Sequence, residues 1–318
     1  MNVDTLISKI KDYTGLHAYS GDSEDLVVEN IPFLVPQLDR KIGGGIPRGR
    51  ITEIVGEFSV GKTTLAQFLM RSAQEMGLSV VYFNAENKYD PRWFAATGVD
   101  TKNLVVVKGN LGERIFDAIG DLVKENAGLI IVDSIAALVP IAEYEESLEK
   151  KFMGDQAKMM SEGLRHIMQD LSTSKTSLVF INQMRSTIGQ YHAGDSPPAG
   201  KAQFFYASMI LGVRRGDWIE EKGKDKTIRK GFHIVVRTTK NTIAPPFQEA
   251  DIPFYFTGKI DMIWSLATLA QDFGIVQKTG SWFEFEGTKV QGLENLIDFF
   301  KEDKEAAKKL ASMVAGVA

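Results

Sequence analysis

The chain contains no cysteine, so disulfide staples and thiolate metal ligands are excluded. Its four histidines fall at no zinc-binding spacing, and any metal must be held by oxygen. It also lacks the ~20 consecutive apolar residues that a membrane span needs. The segment Met1–Asp12 mixes acidic and basic residues where a secretory signal would be apolar, so a cytoplasmic protein without a membrane partner is expected. Excess positive charge is missing too: 37 Lys and Arg against 41 Asp and Glu leave a net charge of −4. A dedicated non-specific nucleic-acid binder is usually basic. Were DNA the partner, local loops and assembly of many copies would have to supply the cations. Internal repeats and low-complexity runs are absent as well, which argues against a solenoid.

What is present is an ordinary globular composition, 44% hydrophobic and 25% charged, over 318 residues. That length holds one large core with small appendages. Leu6, Ile7 and Ile10 line one face of a short N-terminal helix, followed by a polar connector from Gly15 to Asp25. From Ile51 onward, short apolar runs alternate with helical patterns, the mark of parallel βαβ units. The expected strands are Ile51–Val55, Val80–Asn84, Leu104–Val107, Leu129–Asp133 and Leu178–Asn182, then two β-rich segments, Ala207–Arg215 and Phe232–Thr239, with a solvated hairpin tip between them. Beyond Phe256 the pattern turns to helix, strand around Trp282–Phe285, and a final helix. The expected organisation is an arm over residues 1–30, an α/β core over 31–256 and a small α/β C-terminal domain over 257–318.

Gly56-Glu57-Phe58-Ser59-Val60-Gly61-Lys62-Thr63 matches the phosphate-loop pattern in full, between a buried strand and an amphipathic helix, with Thr64 next. Glycines let backbone N–H groups turn inward around phosphates, and the helix N-terminus adds positive potential. Lys62 is expected to reach the β and γ phosphates of ATP, and the Thr63 hydroxyl to ligate Mg²⁺. Asp133 ends an apolar strand and is expected to hold the Mg²⁺ shell. Glu86 follows the strand Val80–Asn84 and can orient or deprotonate an attacking water. Spacing alone leaves Glu86 balanced between that role and a surface glutamate.

The ordered blocks Gly43–Thr64, Val81–Gly98, Leu129–Pro140, Phe152–Arg165, Phe180–Gly189, Phe204–Arg215 and Thr239–Ala250 resemble the RecA recombinase family over roughly residues 30 to 290. The resemblance implies a RecA-like P-loop ATPase core with a mostly parallel, twisted sheet flanked by helices. It assigns Glu86 as the catalytic glutamate. Asp90 and Trp93 match positions that contact and stack on adenine, Trp93 standing where the family has tyrosine, and Phe256 matches a second aromatic near the base. Gln183 matches the glutamine that senses the γ-phosphate. Lys240 matches a lysine that reaches the ATP of a neighbouring subunit, whereas Thr242 stands where bacterial members carry a second lysine, a departure that predicts slower or differently regulated turnover.

Two loops are implied to hold DNA. The first, Glu143 to Met153, leads into a helix carrying Lys158, Ser161 and Arg165. The second, Met184 to Gln203, contains Arg185, Ile188 and Gly200 and is rich in Gly, Pro, Ser and Ala. Cations there contact phosphates, and Met153 or Ile188 can wedge between bases. The implied activity is DNA-dependent ATP hydrolysis by a head-to-tail helical filament on single-stranded DNA. That filament pairs with homologous double-stranded DNA, and mediator or single-strand-binding proteins are candidate further partners. A ring-shaped motor ATPase and an ATP-switched DNA-binding accessory protein are the alternatives.

Overall fold

A computed structural model of the chain describes residues 2–145, 154–183, 202–223 and 226–317. Helix α1 (Val3–Thr14) is capped by Asn2, whose side chain accepts from Thr5 N, and no residue from 2 to 30 is buried. Burial starts at Ile31. The two-residue strands β1 (Asn30–Ile31) and β2 (Ile46–Pro47) pair antiparallel around α2 (Pro36–Ile42).

The chain then alternates through β3 (Ile51–Gly56), α3 (Lys62–Glu75), β4 (Val80–Asn84), α4 (Pro91–Ala96), β5 (Leu104–Lys108), α5 (Gly112–Lys124) and β6 (Leu129–Asp133). It continues through α6 (Ile141–Glu145), α7 (Asp155–Thr173), β7 (Ser177–Gln183) and α8 (Ala202–Tyr206) into three antiparallel strands, β8 (Met209–Lys222), β9 (Thr227–Asn241) and β10 (Glu249–Tyr255). Among the described residues these strands form an eight-stranded sheet in the order β10-β9-β8-β3-β7-β6-β4-β5, parallel from β8 to β5. Val80 to Asn84 and Leu129 to Asp133 are buried throughout, as parallel strands covered on both faces must be, and their β-branched runs suit that setting. At the edge, β5 leaves Val105 58% exposed.

The sheet carries a core on each face. Leu65, Leu69 and Ala73 of α3 join Phe33, Leu38 and Ile42 on one side. Ile115, Phe116, Ile119 and Val123 recur at helical spacing along α5 and meet Met160, Leu164 and Ile167 of α7 on the other. Gly163 permits that approach, because a Cβ there would lie 2.4 Å from Phe116 Cγ.

A third cluster lies in the C-terminal segment, where α9 (Met262–Asp272), the meander β11 (Gln277–Thr279), β12 (Trp282–Phe285), β13 (Thr288–Gln291), and helices α10 (Leu293–Glu302) and α11 (Lys304–Val317) enclose Leu269, Phe283, Phe285, Ile297, Phe300 and Leu310. Asp261 ties two elements of this segment together: its carboxylate caps α9 by accepting from Trp264 N and pairs with Lys301 of α10 at 2.7 Å.

Three expectations need correction. The hairpin tip is much shorter than expected, since β8 and β9 run on as strand through most of Gly216–Gly231. Trp218 accounts for the extension: its ring packs on Phe232 and is flanked by the Arg215 and Arg229 guanidinium groups at 4.7 and 4.2 Å, so cation stacking stabilises polar strand. The first expected loop begins as helix α6, and Ala202 and Gln203, expected to end the second loop, belong to α8. The C-terminal strand expected around Trp282 is the centre of three.

Candidate nucleotide site

The parallel register sets the site. Gly56 of β3 lies opposite Gln183 of β7, and Asp133 of β6 lies opposite Asn84 of β4. The phosphate loop, Gln183, Asp133 and the turn bearing Glu86 therefore meet at the C-terminal edge of the sheet, where open α/β sheets bind ligands. A cleft of about 390 Å³ opens there, lined by the loop from Phe58 to Thr64 together with Tyr82, Glu86, Lys88, Trp93, Asp133, Gln183, Phe232, Phe254 and Phe256.

Ser59 at φ 56° and Gly61 at φ 101° turn the loop into the start of α3. A Cβ at Gly61 would lie 2.6 Å from Ile234 Cδ1, so glycine serves both the backbone angle and the contact. Lys62 opens α3 and is 8% exposed, its ammonium donating to Gly56 O at 2.9 Å and Glu57 O at 2.6 Å. Burial pulls it below the ordinary lysine value, against the attraction of Asp133 and Glu86. A buried cation at a helix N-terminus, with only carbonyls as partners, suits an anion.

Thr63 Oγ1 donates to Asp133 Oδ2 at 2.8 Å, and Tyr82 OH donates to the same oxygen at 3.0 Å. Burial raises the Asp133 carboxyl, and these two donors offset the rise only in part. A carboxylate so placed gains from a nearby cation. Two hard oxygens at contact distance beside a phosphate cradle fit magnesium, which favours few protein ligands and shares itself with phosphates. Among the described residues no three His, Asp or Glu side chains converge, so a metal held by protein side chains alone is not what this chemistry suggests.

Glu86 accepts on Oε1 from the Ser134 hydroxyl and the Gln183 amide, and pairs through Oε2 with the Lys88 ammonium. Burial raises its carboxyl, but the Lys88 and Ser134 hydrogen bonds and the Lys88 charge outweigh that, leaving it below its ordinary value. It is thus an ionised group with its orientation fixed. Trp93 and Phe256 also line the cleft; Trp93 meets Phe254 edge-on at 6.2 Å, and Phe256 packs on Phe232 at 6.2 Å. Such flat, half-exposed rings offer a stacking surface. Asp90 does not line the cleft. It caps α4, the helix that carries Trp93, by accepting from Arg92 N, and its carboxylate is held down to about 2 by the Arg92 side chain.

The structure brings together Lys62, Thr63, Asp133, Glu86, Gln183, Trp93 and Phe256. Lys240 lies elsewhere, donating to the carbonyls of Phe204 and Phe205 in α8 at 3.0 and 3.1 Å. Thr242 accepts from Arg50 Nη1 at 3.1 Å. Lys158, Ser161 and Arg165 share one side of α7, both cations exposed. Met153, Arg185, Ile188 and Gly200 lie outside the described residues. Tyr82, Lys88, Ser134, Phe232 and Phe254 complete the site without having been marked by sequence. Tyr82 and Phe232 read as strand core, Phe254 lies in β10, a strand outside those expected, and Ser134, directly after Asp133, offered the one available hint.

A phosphate loop at the end of a parallel strand, a hydrogen-bonded threonine–aspartate pair beside it and an oriented glutamate define a P-loop nucleotide-binding protein of the α/β class. The comparison with known proteins narrows this. Residues 3–261 match the RecA N-terminal domain and residues 265–316 the RecA C-terminal domain. Protein RecA of Heliobacterium modesticaldum is 38% identical over 92% of this chain and 85% of its own length. Those of Thermus aquaticus and Streptomyces coelicolor are 37% and 36% identical, over 92% and 98% of this chain and 87% and 84% of their lengths. The chain belongs to the RecA family of recombinases. Among the described residues, no helix is long and apolar enough to cross a membrane.

Proposed function

We propose that this chain assembles head-to-tail on single-stranded DNA, hydrolyses ATP in the cleft at the end of β3, and catalyses homologous pairing and strand exchange. The observation that carries the reading is the hydrogen-bonded link Gln183–Glu86–Ser134, which joins the phosphate end of the cleft to the strand leading into the second expected DNA loop. Lys62 binds phosphate, Thr63 and Asp133 hold the magnesium side, and Trp93 and Phe256 stack on the base. Glu86, ionised and oriented, takes the proton of an attacking water. Magnesium, when bound with the nucleotide, supplies neutralisation of charge on the phosphate oxygens.

The DNA side is read from α7 and the two loops: Lys158, Ser161 and Arg165 contact phosphates, joined by Met153, Arg185, Ile188 and Gly200. Lys240 serves the nucleotide of a neighbouring copy, and it does not line the cleft of its own chain. The exposed apolar side chains Leu6, Ile10, Tyr13 and Leu16 support docking of the arm on that neighbour. Contacts that do not close on themselves propagate as a helix. The residues outside the phosphate loop separate this reading from a generic ATPase.

Electron microscopy with single-stranded DNA and a slowly hydrolysed ATP analogue, run beside a strand-exchange assay, tests it. Helical filaments that convert homologous duplex are expected. Closed rings that unwind duplex, or DNA binding without exchange, would overturn it.

A further inference from the structure

Of the two lysines lining the cleft, Lys62 donates to carbonyls of its own loop, whereas Lys88 pairs with a carboxylate, that of Glu86. Glu86 does not need this ion pair to stay in place. Its other oxygen already accepts from Ser134 and Gln183, two neutral donors at the ends of β6 and β7.

The backbone beneath Lys88 is fixed: its N–H donates to Asn84 Oδ1 at 2.9 Å, and Asn87 before it sits at φ 55°, a left-handed angle that asparagine tolerates. The side chain is another matter. It is 71% exposed, and an ion pair with one partner in water is weak. A flexible cation, anchored at its base and loosely paired at its tip beside a phosphate cradle, is placed to change partners.

We propose that Lys88 is the cation by which this chain distinguishes a nucleoside triphosphate from a diphosphate, resting on Glu86 and transferring to the terminal phosphate. The inference rests on the reading of the cleft as a nucleotide site. Lys88 gains there an acceptor of higher charge than a single carboxylate, and hydrogen bonds between ionised partners are the strong ones. Once Lys88 leaves, Glu86 keeps its orientation through Oε1 while Oε2 becomes free to accept from water. Recognition of the third phosphate and exposure of the base are then one event.

The test uses the full-length chain and equilibrium fluorescence titration with ADP and with a non-hydrolysed ATP analogue, so no turnover enters. Lys88→Met should weaken the analogue about tenfold and leave ADP affinity within about twofold, and Lys88→Arg should restore the analogue. Glu86→Gln, which removes the resting partner, should tighten the analogue more in the wild-type background than in Lys88→Met, because loss of the carboxylate's own repulsion is common to both whereas release of the lysine is not. Equal weakening of both nucleotides, no change, or equal tightening by Glu86→Gln in the two backgrounds overturns the inference alone. A wild-type chain that binds neither nucleotide overturns the reading of the cleft and the inference together.

Discussion

Gln183 donates its side-chain amide to the Glu86 carboxylate, joining the last residue of β7 to the turn after β4 across 97 positions of sequence. The bond passes over the end of β6, which lies between those strands and supplies Ser134 to the same oxygen. Any displacement of Glu86 would therefore be transmitted to Gln183, the last residue of β7.

Glu86→Gln is expected to lower DNA-stimulated phosphate release by about 100-fold or more, the usual worth of a positioned base, with DNA affinity unchanged. Gln183→Asn, too short to keep the bond to Glu86, should leave nucleotide binding intact and remove the stimulation by DNA. Parallel phosphate-release and DNA-anisotropy measurements check both. Loss of DNA affinity in Glu86→Gln would mean that the carboxylate serves the DNA side instead.

Gly61→Ala combines a left-handed backbone angle with a 2.6 Å contact to Ile234 Cδ1, and Ile234, fully buried, is not free to move away. A loss of ~1–3 kcal/mol in stability is expected from overpacking and strain, with nucleotide binding lost as the loop is displaced. Urea unfolding with and without nucleotide measures the two effects separately.

The strands Val80–Asn84 and Leu129–Asp133 were legible because β-branched runs bounded by polar residues leave little else to form, and the phosphate loop because its chemistry tolerates few sequences. The arms of the β8–β9 hairpin were not. Their charged, glycine-bearing sequence reads as a loop, and what keeps them extended is the stacking of Arg215 and Arg229 on Trp218, a contact across the hairpin. Tyr82 was hidden for a different reason: a tyrosine alternating with apolar residues in a buried strand looks like packing, and only the folded register brings its hydroxyl to Asp133. Lys88 was overlooked because a lysine two residues from a glutamate reads as an ordinary surface pair.

Deleting residues 1–14 removes α1 and its exposed Leu6, Ile10 and Tyr13 while touching no buried residue. Filaments on single-stranded DNA are expected to disappear while nucleotide affinity and the thermal midpoint hold, as electron microscopy, nucleotide titration and calorimetry would record. Filaments that persist would exclude the arm as the linking element.

Glu53 gives a pH dependence whose sign follows from burial alone. It lies fully buried in β3, where Asn182 Nδ2 donates to Oε1 at 2.9 Å and Oε2 has no hydrogen-bond partner among the described residues. Loss of hydration pushes its carboxyl from 4.5 up to about 8, against the smaller opposing pull of Asn182. Below the ordinary carboxylate value, folded and unfolded chains are both protonated at this site and it contributes no slope. Between there and about 8 the unfolded chain releases the proton while the folded chain retains it, so stability falls as pH rises; above that range the slope vanishes. Glu53→Gln keeps the shape and removes the proton. The wild-type unfolding free energy, from urea titrations, should therefore drop more between pH 5 and pH 8 than that of Glu53→Gln, by a difference on the order of a few kcal/mol, and the variant should be the more stable of the two at pH 8. Parallel curves for the two proteins would mean that Glu53 is ionised in the folded chain and paired with a cation.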